Sequence, residues 1–294
     1  MCNNCNIINK VKTPVIYNVD QVDDMLAGNA RIFSQAELDE FIEGVFSGKY
    51  TIDDLPQNIY DKTGTYLATG VGKGYGKGVT SFIEGEITED TRLLQSMYDN
   101  VYKFSAAKTY QQTRALTLLL LDANGNPRPF SEFARLAKDI VSNFNRNWLG
   151  AEYNTSIAQA RSASLWKDIQ DLKKEFPLLK YTTVGDARVR PTHRAINHII
   201  RPVDDPFWDT NFPPNGWRCR CTVFQESRGK VTKISPKILN ATKTFDDLFK
   251  MNAGKQKIVF KSSHPYNKVP PKDKKLKANN FNEKIPPPDE VLSK

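Results

Sequence analysis

Residues 181–224 read YTTVGDARVRPTHRAINHIIRPVDDPFWDTNFPPNGWRCRCTVF, and the change of pattern at their start decides the fold. Before Pro177 the apolar residues recur at three- and four-residue steps. After it, KYTTVGDARVR (180–190) is β-branched and alternates at short range, as a strand and its turn do. Further on, Trp217, Cys219 and Cys221 alternate with Arg218, Arg220 and Thr222, the period of a strand with one buried face. The expectation is a small, loop-rich, β-containing unit over 176–225.

The same stretch concentrates the chemistry. It holds two of the three histidines, His193 and His198, and two of the four cysteines, Cys219 and Cys221. Three readings are open. In the first, the two thiols project to one side of a strand and His193 or His198 completes an N/S set suited to zinc. Cys-x-Cys is tighter than the usual Cys-x₂₋₄-Cys knuckle, which weighs against it. In the second, Arg188, Arg190 and His193 bind a nucleotide-like substrate and move a proton, as in a transferase. No nucleophile pattern accompanies them. In the third, which fits the composition best, the polar residues are clamps. Asp186, Asp204 and Asp205 hold Arg188, Arg190 and Arg220 in bidentate pairs, Trp208, Trp217 and the thiols fill a small core, and Pro213-Pro214 fixes the approach to the last strand.

Taken in order, Asp186, Arg188, Arg190, His193, then Asp205, Phe207 and Trp208, then Pro213, Pro214, Gly216, Cys219, Arg220 and Cys221 resemble the signature of the phage Mu F-like family of minor head, or head morphogenesis, proteins. The Ala-rich lead-in AEYNTSIAQARSASLW (151–166) is similar to that family's too. The resemblance covers 130–225 well and 1–130 loosely. In many relatives a glycine follows the histidine, where this chain has Asn197 and His198. The resemblance implies a minor capsid protein of a tailed bacteriophage, with portal and coat proteins as partners and no established catalysis. It would reside in the virion, at the capsid interior or portal vertex, and in the host bacterial cytoplasm during assembly.

Upstream, Ser34-x-x-Glu37 is a capping box, followed by Leu38, Phe41, Ile42 and Val45 at helical spacing up to Gly48. Gly70, Gly72, Gly74, Gly76 and Gly78 alternate without a phosphate-loop or dinucleotide-loop spacing, and read as a flexible linker. Helices are expected over 90–122 and from Ser131 to about Lys174, bent near Gly150, joined by the turn DANGNPRP (122–129). Together they would form an antiparallel hairpin with Phe, Leu and Trp inward.

The net charge of +9 is uneven. Residues 228–284 carry 15 Lys and Arg against four acids, and the rest is near neutral. Such a basic tail suggests an anionic partner, and Lys272, Lys274, Lys275 and Lys277 are candidate contacts to packaged double-stranded DNA. A nonspecific nucleic-acid-binding protein is therefore the alternative class. Phe245–Phe249 suggests a helical turn and KIVF (257–260) a strand. The longest aliphatic run, within Leu116–Leu121, is far too short to span a bilayer, and MCNNCNIINK lacks the pattern of a secretory leader, so no membrane association is expected. The Cys2/Cys5 pair lacks the βαβ context of a redox motif.

The fold expected is α+β: a long helical hairpin, a small loop-rich β-containing domain and an irregular basic C-terminal tail. The corresponding regions are 1–80, with a short helix and a Gly-rich linker; 81–175, the hairpin; 176–225, the signature segment; and 226–294, the basic Pro/Lys-rich part.

Overall fold

The capping box at Ser34 forms as its spacing predicts. Ser34 Oγ accepts the Glu37 amide at 3.2 Å and the Glu37 carboxylate accepts the Ser34 amide at 2.9 Å. Two amides that a helix start would leave unpaired are thereby satisfied. Helix α1, Gln35–Phe46, buries Leu38, Phe41, Ile42 and Val45, and the chain turns at Gly48 with φ of 79°. The computed structural model describes residues 32–53, 55–76 and 88–273. A strand-like fragment of the sequence at Val15–Val19 lies outside the described residues, as do the Cys2/Cys5 pair, Gly78, Lys274, Lys275 and Lys277.

The glycine run is not a linker as far as Gly76. It lies within helix α2, Gln57–Tyr75, which ends at Gly76 in the left-handed conformation. The reason is packing. A Cβ at Gly64 would strike the Tyr102 ring, and a Cβ at Gly74 would strike the backbone carbonyl of Ile157. The glycines let α2 lie against helix α3, Glu89–Thr117, on one side, and against helix α5, Leu149–Asp171, on the other. The helical loss that glycine costs, about 1 kcal/mol per residue, is offset by this close approach.

The expected long helices are present. Helix α3 is followed by a turn in which the Asp122 carboxylate accepts the amides of Asn124 and Asn126. Helix α4, Phe130–Ser142, runs through a π-helical segment, Asn143–Trp148, into α5. The expected bend near Gly150 is therefore a wider turn just before it. Helix α2 packs between the long helices, so the expected hairpin holds a third member.

Strand β1, Leu178–Thr182, is central in a three-stranded antiparallel sheet. It pairs with β2, Ile200–Pro202, on one side and β3, Thr222–Glu226, on the other. Two short helices, α6 at Pro191–Arg194 and α7 at Phe207–Asn211, fill the connections. The strand expected through Trp217, Cys219 and Cys221 begins only at Thr222. Arg218 takes a left-handed φ of 57° just before it and breaks the alternation.

The α+β reading holds, and the C-terminal part is irregular, but through Asp273 it is packed rather than a free tail. Helix α8, Pro236–Lys243, the short helix α9, Ala253–Gln256, and three single 3₁₀ turns carry it across the molecule. The turn expected at Phe245–Phe249 is one of these, at Asp247–Phe249. KIVF is not a strand. Lys257 turns with φ of 57°, and Val259 and Phe260 insert into the helical core instead.

Two apolar cores result. One joins α1–α5 with Met251, Ala253, Val259, Phe260 and Tyr266. The other gathers Trp166, Ile169, Leu179, Tyr181, Trp208, Phe212, Val223 and Phe245 around the sheet.

Candidate functional site

The signature residues converge on the mouth of the sheet core, held there by polar contacts. Gly185, with φ of 79°, turns the chain after β1. Asp186 then accepts both guanidinium nitrogens of Arg220, at 2.7 and 2.8 Å, and lies 3.6 Å from Arg188 Nε. This bidentate pair joins the loop after β1 to the segment before β3. The Arg220 hydrogen bonds hold the Asp186 carboxyl down at about 2.

The other clamps differ in detail from the expectation. Arg190 donates to the Trp217 carbonyl at 2.6 Å. Asp205 pairs with Arg201 at 2.5 Å and caps the Phe207 amide, while Asp204 pairs with Lys173. Trp208 is fully buried and donates its indole N–H to the Pro202 carbonyl at 2.8 Å. Trp217 does not join the sheet core; its ring packs edge-on to Phe249 and His264 at the border of the helical core. Pro213 and Pro214 are joined by a cis peptide, and the Pro213 carbonyl accepts the Ser162 hydroxyl of α5 at 2.5 Å.

Behind the clamps lies a small cluster. His193, 3% exposed on α6, directs Nδ1 at two sulfurs: Cys221 Sγ at 3.5 Å and Cys219 Sγ at 3.6 Å. Its ring meets Phe245 edge-on, which fixes its plane. The hydrogen bond from the Cys221 thiol and the facing imidazole hold Cys219 well below the ordinary thiol range. The same bond, with burial and the neighbouring negative charge, pushes Cys221 up. Tyr181 on β1 closes the floor, donating to Asn215 Oδ1 at 2.9 Å.

Of the four candidate metal ligands, the structure brings together His193, Cys219 and Cys221. His198 is outside the group: it is exposed, and its ring meets the Asn197 amide at 3.1 Å. It adopts φ of 64°, the conformation glycine takes most easily. Arg188, Arg190 and His193 line one small cavity together, in which Arg190 donates to the Trp217 carbonyl and His193 Nδ1 faces the thiols. A cleft of about 110 Å³ runs beside the cluster, lined by Ile157, Arg161 and Leu165 of α5 and by Pro214, Cys219 and Cys221.

Sequence reasoning missed Tyr181, Asn215 and Ser162, which brace the cluster from three elements. Only Tyr181 left a signal, as an inward position in the β1 alternation. Lys272 is exposed, beside the 3₁₀ turn at Pro271–Asp273.

This clamped segment is the part of the chain that comparisons with known proteins detect. The family described as Phage Mu protein F like protein matches over residues 123–224, from the turn after α3 to the middle of β3. The chain thus carries a Mu F-like segment, as the resemblance of 181–224 implied. Among individual relatives, it is 31% identical over 116 residues to capsid assembly protein F of Escherichia phage Mu, which is 40% of this chain and 24% of that protein. It is 34% identical over 102 residues to the Mu-like prophage FluMu F protein of Haemophilus influenzae, 35% of this chain and 22% of that protein. The matched part spans about a quarter of the length of each of these relatives. No solved structure matches the chain. Among the described residues, no helix is long and apolar enough to cross a membrane.

Proposed function

We propose that this protein is a minor capsid protein of a tailed bacteriophage that acts in head morphogenesis. The observation that carries this reading is the Mu F-like match over 123–224, in which the residues of the signature are those that clamp the sheet unit. One relative sharing this segment is named for capsid assembly. The partners proposed are the portal and coat proteins, and the site of action is the host bacterial cytoplasm during assembly and then the capsid interior or portal vertex. Catalysis is not part of the reading: the one imidazole in the signature cluster faces thiols, and the arginines serve as clamps.

Co-expression with the portal and coat proteins of the same genome tests it. The expected result is that the chain co-sediments with procapsids or with the portal ring. A chain that stays in the soluble fraction while procapsids form without it would overturn the proposal.

Contact with packaged DNA belongs to the same reading, supported by the excess of basic over acidic residues in 228–284. If it holds, duplex binding should weaken steeply with salt, because phosphate contacts release counterions. Replacing Lys272, Lys274, Lys275 and Lys277 by Gln together should flatten that slope. An unchanged slope would remove these lysines from the interface.

A further inference from the structure

We propose that His193, Cys219 and Cys221 form a zinc site with three protein ligands, its fourth position open towards the small cavity in front of them. The geometry is the argument. Zn–S and Zn–N bonds of about 2.3 and 2.1 Å at tetrahedral angles set each S···N edge at about 3.6 Å. The two S···N distances are 3.5 and 3.6 Å, and all three donor atoms lie within 4.8 Å of one another.

The surroundings fit an ion of that size and charge. A cavity of about 20 Å³ is lined by all three ligands, enough for about one water-sized group. Two thiolates and a neutral imidazole make a neutral complex with Zn²⁺, so the nearby arginines do not oppose it. Arg188, Arg190, Arg218 and Arg220 line the same cavity; Asp186 pairs with Arg220 and lies 3.6 Å from Arg188, and Arg190 is directed at a backbone carbonyl. The positions of the ligands are fixed from separate elements, α6 for His193 and the run into β3 for the thiols, with the Phe245 ring in T-shaped contact with the imidazole. Such preset donors are what a soft, tetrahedral ion selects. The tight Cys-x-Cys spacing that weighed against zinc in the sequence is no obstacle here, because Arg218's left-handed turn delivers the two thiols from an irregular segment rather than from a knuckle. No fourth Cys, His, Asp or Glu joins the group among the described residues, so a water or a partner's donor would complete the shell.

Metal analysis of the full-length chain, grown with added zinc and passed through a desalting column, tests the site. Roughly one zinc per chain is expected, retained in a Cys2→Ser/Cys5→Ser variant and lost in Cys219→Ser/Cys221→Ser. His193→Asn should weaken binding by tenfold or more. So that the test does not depend on the thiol variant folding, cobalt is added to the wild-type chain stripped of metal: thiolate-to-cobalt charge-transfer absorption of two-thiolate intensity, displaced by zinc, supports the site without any variant. Three results overturn it: a chain free of zinc that gives no thiolate–cobalt absorption, zinc lost only in the Cys2/Cys5 variant, or equal zinc in wild type and Cys219→Ser/Cys221→Ser.

Discussion

The helical core and the sheet core are held by opposite means. The helical core is a broad apolar contact among five helices, with a buried ion pair inside it: Lys108 of α3 with Glu152 of α5. The sheet core is small, and its loops are tied by polar clamps at the rim, Asp186–Arg220 and Arg201–Asp205. A short three-stranded sheet cannot bury enough apolar surface to fix long loops. Hydrogen bonds from Asp186, Arg201, Asp205 and Arg220 then do the fixing, while the larger core is written in ordinary hydrophobic residues.

The sharpest way to break this contrast is at the ion pair. Glu152 accepts from Lys108 and from the Tyr266 hydroxyl, so it binds α3, α5 and the C-terminal strap at one point. Burial pushes the Lys108 ammonium pKa down, and only Glu152 opposes that. Glu152→Ala should cost about 3–5 kcal/mol in chemical denaturation, because a buried charge loses its partner. Lys108→Met with Glu152→Leu should recover most of this. If Glu152→Ala costs less than about 1 kcal/mol, the pair does not hold the core.

The second effect depends on pH. His264 packs against Phe104, Phe260 and Tyr266 of the helical core, 7% exposed, accepting the Tyr266 amide on Nδ1. Burial, with the charge of Lys108, lowers its pKa from 6.5 to about 4. The unfolded chain therefore binds a proton that the folded chain refuses, and stability falls as pH drops from about 6.5 to 4, by on the order of 3 kcal/mol. His264→Asn keeps a cap for the amide and should flatten this part of the stability–pH curve.

Third, Gly74→Ala gains helix propensity but collides with the Ile157 carbonyl. A net loss of about 1–3 kcal/mol is expected, read as a lower Tm. Gly48→Ala meets no neighbour within 4 Å and tests left-handed strain alone. The two variants separate packing from backbone freedom.

The smallest effect is at the exposed clamp. Asp186→Asn should lower Tm slightly at neutral pH. The Asp186 carboxyl is held down at about 2, so its contribution is full above the unfolded value near 3.8 and is lost as pH falls towards 2. The difference between wild type and Asp186→Asn should narrow over that window. A constant difference would mean that charge is not what holds the loop.

These contrasts also explain what could be read in advance. Helices α1, α3 and α4–α5 announce themselves by period and capping, since Ser34, Leu93 and Phe133 act locally. Helix α2 shows only as Tyr60, Leu67 and Val71 on one possible face, because its glycines gain their meaning from Tyr102 and Ile157, 38 and 83 positions further along the chain. The C-terminal strap was obscured by its lysines. Its attachment depends on the polar face of α3, where Asn100 accepts the Val259 and Phe260 amides, Gln111 donates to the Tyr266 carbonyl and Tyr110 donates to Asp273. At the site, Asp186 with Arg220 and His193 with the two cysteines were legible as residue types. Their exact pairings were not, because Arg218's turn and the path of 213–221 set them.

The order of the two cores along the chain has a consequence for folding. The helical core uses residues 33–163 and then 251–266, and the sheet core occupies the interval. The sheet unit is thus an insert whose two ends are both sewn into one body. The strap closes loops of about 160 residues when it reaches α3. During synthesis the helices must wait, incompletely covered, until the whole insert has emerged, and contacts of such long range slow the final step. The sheet unit is in this sense a toll gate: the surrounding body is finished only after that unit has been made and folded back upon it.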